Sequence, residues 1–177
     1  MGNVRLYGST SGYTELAPPA VAPDGVLSLP SGTGTLLTAE GGKVLQVVTS
    51  TTSTAVSTTS TSYVTTGLTA TITPSKTTSK ILVLTSMQTE KTTNNVYSGV
   101  ETAVFRGTVA GTLLQSGIFF AEGNVPMAQT NFVVLDSPST VSAQTYTVGL
   151  RTNSGLTAVT AVKNGALATI TLMEISA

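Results

Sequence analysis

Five carboxylates, Glu90, Glu101, Glu122, Asp136 and Glu174, are the side chains of this sequence best suited to acid–base chemistry. Glycoside hydrolysis would need two of them flanking one bond, one protonated and one ionised. Each falls in or beside a different strand-like stretch, and no spacing singles out a pair. They read as hydrogen-bonded or solvated strand-end groups. The chain has no histidine and no cysteine, which removes imidazole-based triads, thiol nucleophiles and the usual zinc and copper ligand sets. The acidic residues do not cluster at the spacing of a calcium loop. The expectation is a protein that is not an enzyme and uses neither cofactor nor metal.

Two glycine-rich stretches imitate functional loops. Gly8 to Gly12, GSTSG, has the outline of a nucleophile elbow, but its central residue is Thr10 and no base exists to activate it. Gly32-Thr33-Gly34 lacks the lysine and the following helix of a phosphate loop. Both are predicted turns. Arg106 and Arg151 are each the strong charge in an apolar or threonine-rich strand. They are candidates for intersubunit charge contacts, weighed against ordinary strand-edge positions. Tyr97, Phe105, Phe119, Phe120, Phe132 and Tyr146 read as core aromatics, and the absence of tryptophan argues against a sugar-stacking platform.

The elements that carry these residues follow from composition. Charged residues make up 9% of the 177-residue chain and hydrophobic residues 40%. Threonine supplies 35 positions, and a β-branched hydroxyl side chain disfavours helix and suits a pleated, half-buried surface. Net charge is zero, without the lysine and arginine clusters that nucleic acid requires. So charge-poor a surface gives little protection against association, which suits a subunit of a permanent assembly. No apolar run approaches membrane-spanning length, and MGNVRL lacks the apolar region of a signal peptide. Folding in a cytoplasm without processing is expected.

From Val44 onward the apolar period is two. In LTATITP, Leu68, Ala70 and Ile72 share one face, Thr69, Thr71 and Thr73 the other, and Pro74 stops the strand. ILVLTSMQTE opens as a continuous apolar run, as a strand covered on both faces would. Thr49 to Ser62 reads as a polar strand with a turn. Further strands end at glycine, proline, asparagine or serine. TAVTAV, Asn164-Gly165 and ALATITLMEI predict a β-hairpin with a type I′ turn. Eight to ten short strands without a helical period predict an all-β fold, an antiparallel β-sandwich or jelly roll over residues 43–177. Residues 1–42, rich in proline and glycine, form an irregular, extended arm in this reading.

The run TSYVTTGLTATITPSKTTSKILVLTSM resembles a stretch of many tailed-phage virion proteins, and ATITLMEISA is similar to their final strand, which closes on a Glu-Ile pair. Phe105-Arg106-Gly107 fits the same pattern. That family is similar in architecture to trimeric C1q/TNF-type jelly rolls, over roughly residues 44–177. YGSTSGYTELAPPAVAPDGVLSLPSGTGTLL resembles a module of phage fibre proteins, particularly of marine cyanophages, with APPAVA in place of a single-proline form. The resemblance implies short strands that intertwine around a three-fold axis or clamp onto a neighbour.

Physical chemistry points the same way, because a segment broken by proline and glycine is stabilised best against other chains. Tyr7, Tyr13, Leu16, Val21, Val26, Leu27, Leu29, Leu36 and Leu37 are the expected anchoring or intersubunit contacts. Burying each aliphatic side chain contributes ~1.5–3 kcal/mol. The resemblance therefore implies a non-enzymatic virion protein, a homotrimer on the particle surface, assembled in the host cytoplasm. Its expected role is capsid decoration (cement) or a head spike held on the major capsid protein by the arm. The alternative is a short tail fibre or receptor-binding protein, attached to a tail adaptor protein and recognising a host surface glycan. Neither nucleic acid nor membrane insertion is expected.

Overall fold

The structure is a computed structural model that describes residues 4–7, 10–16, 43–92, 98–121, 127–162 and 165–176. The chain divides into two units, residues 1–36 and 37–177. All described regular elements are strands in antiparallel sheets. In the first unit β1 (Val4–Tyr7) and β2 (Tyr13–Leu16) form a two-stranded antiparallel pair. Thr10, Ser11 and Gly12 lie in the connection, where Thr10 and Ser11 bend and Gly12 takes φ +78°; Gly8 and Ser9 of the expected GSTSG turn lie outside the described residues. Arg5 and Glu15 face one another in the register and pair at 2.8 Å. Val21, Val26, Leu27, Leu29, Leu36, Leu37 and the Gly32-Thr33-Gly34 turn lie outside the described residues, as do Tyr97 and Glu122.

The second unit holds β3 (Val44–Thr52), β4 (Val56–Thr58), β5 (Val64–Ile72), β6 (Lys80–Lys91), β7 (Ser98–Arg106), β8 (Thr112–Ala121), β9 (Met127–Asp136), β10 (Gln144–Thr152), β11 (Val159–Ala161) and β12 (Ala168–Ile175). One sheet has the order β5-β10-β7-β8. In the other, β9 pairs along β6 from Ile81 to Glu90, so it occupies one whole edge of that strand. β12 pairs with residues 80–86 of β6 and β11 with residues 89–91. Both must therefore share the opposite edge, end to end. β3 lies beyond β12, and β4 beyond β11. Six strand segments thus make four ribbons, in the order β3/β4, β12/β11, β6, β9. Successive ribbons along the chain pass between this sheet and the other, with β7 and β8 consecutive in the second, which is the connectivity of an eight-stranded jelly roll.

This geometry corrects the predicted hairpin. β11 and β12 are both antiparallel to β6 and run in the same direction, so they are one interrupted ribbon, not two strands folded back on each other. Val162 at φ +58° and Gly165 at φ +71° turn the chain out of the ladder and back; Asn164 lies outside the described residues. The interruption lets both halves serve the core, since Val159, Ala161, Val162, Ala168, Ile170 and Leu172 are all buried.

The period-two reading of LTATITP holds: Leu68, Ala70 and Ile72 are buried, and β5 ends at Ile72 before Pro74. Residues 49–62 supply the end of β3, β4 and the turns around it. ILVL is covered on one face only. Ile81 and Val83 are fully buried between the sheets, while Leu82 and Leu84 on the other face are half-buried. The core joins both sheets, with Tyr146, Val148 and Leu150 of β10 and Val100 and Val104 of β7 opposite β6 and β12.

Candidate assembly interface

The two arginines are engaged within the chain. Arg151 on β10 and Glu101 on β7 are register partners, and the guanidinium donates to both carboxylate oxygens, Nε to Oε2 at 2.8 Å and Nη2 to Oε1 at 3.0 Å. Tyr63, just before β5, donates its hydroxyl to Glu101, and the Arg151 guanidinium lies 4.4 Å from its ring centroid. The ring meets Phe105 edge-on at 5.0 Å. Burial works to raise the Glu101 carboxyl, but hydrogen bonds from Arg151 and Tyr63 outweigh it and hold it below its usual range. Burial, then the adjoining carboxylate, pushes the Tyr63 phenol up to about 12.

Arg106, at the end of β7, donates through Nη1 to both oxygens of Asp136 at 3.1 Å, and Asp136 also accepts from the fully buried Tyr146 hydroxyl at 2.8 Å. Burial first, then this carboxylate, drives the Tyr146 phenol far above its usual value. Glu174, on the inner face of β12 and fully buried, accepts from Gln46 Nε2 (2.6 Å) and from the backbone N–H and hydroxyl of Ser75 (both 2.7 Å). Burial alone would raise its carboxyl. The neighbouring Ser79 hydroxyl, which makes no hydrogen bond of good geometry, and the Ser75 and Gln46 donors hold it at about 2. Glu101, Asp136 and Glu174 are thus each committed to separate donors that fasten strands together.

Outside the core, one surface stands apart. On the outer face of the β3/β4–β12/β11–β6–β9 sheet, the register aligns Val47, Met173, Leu82 and Leu135 in one row. The next row is Thr49, Thr171, Leu84 and Val133, and the third is Thr51, Thr169, Ser86 and Asn131. The first row is wholly apolar and the second half threonine, and neither contains a charge. Val47, Val133 and Leu135 are 54%, 63% and 52% exposed. A second apolar region lies along the β8–β9 side, where Ile118, Phe120 and Met127 are exposed. Phe105, Phe132 and Tyr146 are buried as expected, whereas Phe120 is exposed. Tyr7, in β1, is also exposed, and Tyr13 and Leu16 sit in β2.

Among the described residues no group of three or more His, Cys, Asp or Glu could hold a metal ion, and no helix is long and apolar enough to cross a membrane. The outer rows were not legible in advance, because they arise from register between strands distant in sequence. The apolar run ILVL was the visible trace of them.

No family model and no curated protein matches this sequence. Solved structures similar to it include a subunit of Bacillus endospore appendages, described as disulfide-linked pili, at 16% identity over 82% of this chain and 100% of that one, with a TM-score of 0.32. The infectious bursal disease virus Gx strain structure gives 14% identity, 96% and 46% coverage and a TM-score of 0.36. A VP2 subviral particle of the same virus gives 12% identity, 75% and 38% coverage and a TM-score of 0.30. The chain spans less than half the length of these viral proteins. Such identities and TM-scores fix neither a common ancestor nor a common role.

Proposed function

We propose that this protein is a non-enzymatic structural subunit of a phage particle, a homotrimer whose jelly roll packs against other copies while residues 1–42 attach it to the major capsid protein. The observation that carries the reading is the patch of Val47, Met173, Leu82, Leu135, Leu84 and Val133 on the outer face, two register rows without a charge. A monomer rarely leaves so contiguous an apolar surface in water, whereas a subunit covers it on assembly. Glu101, Asp136 and Glu174 serve strand fastening, which fits a role in structure and not in catalysis. The sequence resemblance supports the type of particle; capsid decoration or head spike is the placement on it that the copy number tests.

Light scattering of the purified chain and its copy number in purified particles test this reading. A trimer present in hundreds of copies supports decoration; six to eighteen chains per particle would point to the tail. A chain monomeric at micromolar concentration sinks the trimer. Normal incorporation after deletion of residues 2–42 sinks the arm.

A further inference from the structure

The two long sides of the sandwich differ. On one, Gln46 of β3 donates to the Thr73 carbonyl just past β5 at 2.7 Å and ties the sheets together. On the other, β8 and β9 border an open cleft of about 240 Å³ whose lining includes Gly117, Phe119, Ala128, Thr130 and Phe132. A Cβ at Gly117 would meet the Phe132 ring at an ordinary van der Waals distance of 3.4 Å.

β8 and β9 are each ten residues long and each is hydrogen-bonded to another described strand along one edge only. Edges of this length are ordinarily shielded by lysine, proline or a covering segment. Neither strand contains lysine or proline, and their one charged residue, Asp136, is held inside by Arg106 and Tyr146. An uncharged edge beside a cleft whose lining sets Ile118, Phe119 and Phe132 among Gln129, Thr130 and Asn131 is suited to an added strand, whose backbone would complete the ladder while alternate side chains fill the cleft.

We propose that the β8–β9 seam receives, by strand addition, the segment around residues 24–38 of a neighbouring copy. This rests on the reading of the arm as an attachment segment and names what it attaches to. DGVLSLPSGTGTLLT carries one charge and one proline in those positions, with Leu27 and Leu29 at strand spacing. Its chemistry matches the uncharged seam. Reach is not limiting for the apolar pair: Leu27 lies 16 residues before Lys43, a span of at most roughly 55 Å, against a unit on the order of 37 Å across.

The position of β3 argues for a neighbour's seam. The arm joins the jelly roll at Lys43, where β3 begins, and β3 and β9 are the outermost ribbons on opposite sides of their sheet. A head-to-tail contact sets the β3 side of one subunit against the β9 side of the next, and three such contacts close a ring.

The chain has no cysteine of its own, so introduced pairs report cleanly. In the full-length protein, Leu27→Cys, Ser28→Cys or Leu29→Cys is combined with Ala128→Cys, and each arm variant is combined with Thr51→Cys, an exposed β3 position outside the apolar patch, as a control. A disulfide forms only where Cα atoms approach to about 4.4–6.8 Å. After mild oxidation, the expected result on a non-reducing denaturing gel is covalent trimer from at least one Ala128→Cys pair, at least tenfold more than from the Thr51→Cys pairs. Cross-links confined within single chains overturn the proposal, because the arm then lies in its own subunit. Equal cross-linking to Thr51→Cys overturns it too, as does a protein that is trimeric by light scattering yet unlinked through all three seam pairs. A protein that is monomeric by light scattering overturns the assembly reading itself.

Discussion

Arg106 and Asp136 clamp the two sheets of the jelly roll together: one nitrogen of the guanidinium on β7 reaches both oxygens of a carboxylate on β9, each at 3.1 Å. These strands belong to different sheets, and Tyr146 of β10 adds a third arm through its buried hydroxyl. Removing one member of a largely buried ion pair leaves the other charge uncompensated. Asp136→Asn is expected to cost about 2–4 kcal/mol, and Tyr146→Phe, which leaves the ion pair in place, about 1–2 kcal/mol. Chemical denaturation of both single variants and the double variant checks this. Additive losses would mean that the Tyr146 hydroxyl does not act through the Asp136 carboxylate.

Glu174 makes the fold sensitive to acid. Its carboxyl sits at about 2 in the folded chain against an ordinary value of 4.5, so as pH falls the unfolded chain takes up the proton first. The stabilisation is complete above the unfolded value and is lost progressively as pH drops from about 5 towards 2. Glu101, also held low, acts in the same direction. Glu174→Gln keeps one acceptor oxygen but sets an amide donor against either Gln46 or Ser75, and is expected to cost about 2–3 kcal/mol at neutral pH. The difference in Tm between the variant and the parent should shrink as pH falls from 7 to 3. An unchanged difference over that range would show that the charge on Glu174 is not what holds the Ser75 turn.

The all-β class, the antiparallel jelly roll and the side-chain period were legible in the residues; strand partnership was not. The alternation of Leu68, Ala70 and Ile72 with threonine is a local signal, so β5 was visible in the residues alone. Partner choice is not local. Asn164-Gly165 has strong hairpin chemistry, yet the edge of β6 is long enough to accept both β11 and β12, and the apolar residues of both segments are buried only if the chain continues along it. The ties of Arg106 to Asp136 and of Arg151 to Glu101 were equally hidden, because each joins residues 30 or 50 positions apart whose encounter depends on strand order.

Gly149 shows how tightly the outer side of the β5-β10-β7-β8 sheet is packed. A Cβ there would stand 3.0 Å from Phe105 Cε2, 3.2 Å from Val109 Cγ1 and 3.3 Å from Tyr63 Cδ1. Gly149→Ala must displace these side chains, loosening the Tyr63 ring from Arg151. The expected loss is about 1–2 kcal/mol, with a changed tyrosine signal in near-ultraviolet circular dichroism. Gly117→Ala, whose Cβ meets Phe132 at an ordinary 3.4 Å, should leave stability within about 0.5 kcal/mol of the parent or slightly above it. Equal losses at the two positions would contradict this account of packing.

The outer face of β9 separates folding from assembly. Val133 and Leu135 are more exposed than buried, and their neighbours across the register, Leu84 and Leu82, are half-buried. Replacing both with lysine removes little that the subunit itself buries, so subunit stability should change by no more than about 1 kcal/mol. The same lysines would place two charges in rows that otherwise have none, and burying them against another copy is strongly unfavourable. Val133→Lys/Leu135→Lys is therefore expected to sediment as a monomer, with a far-ultraviolet circular dichroism spectrum like the parent's. Thr51→Lys, in the hydroxyl row of the same face, should remain assembled. A Val133→Lys/Leu135→Lys chain that keeps the parent's oligomeric state would remove this face from the interface and leave assembly to the β8–β9 side.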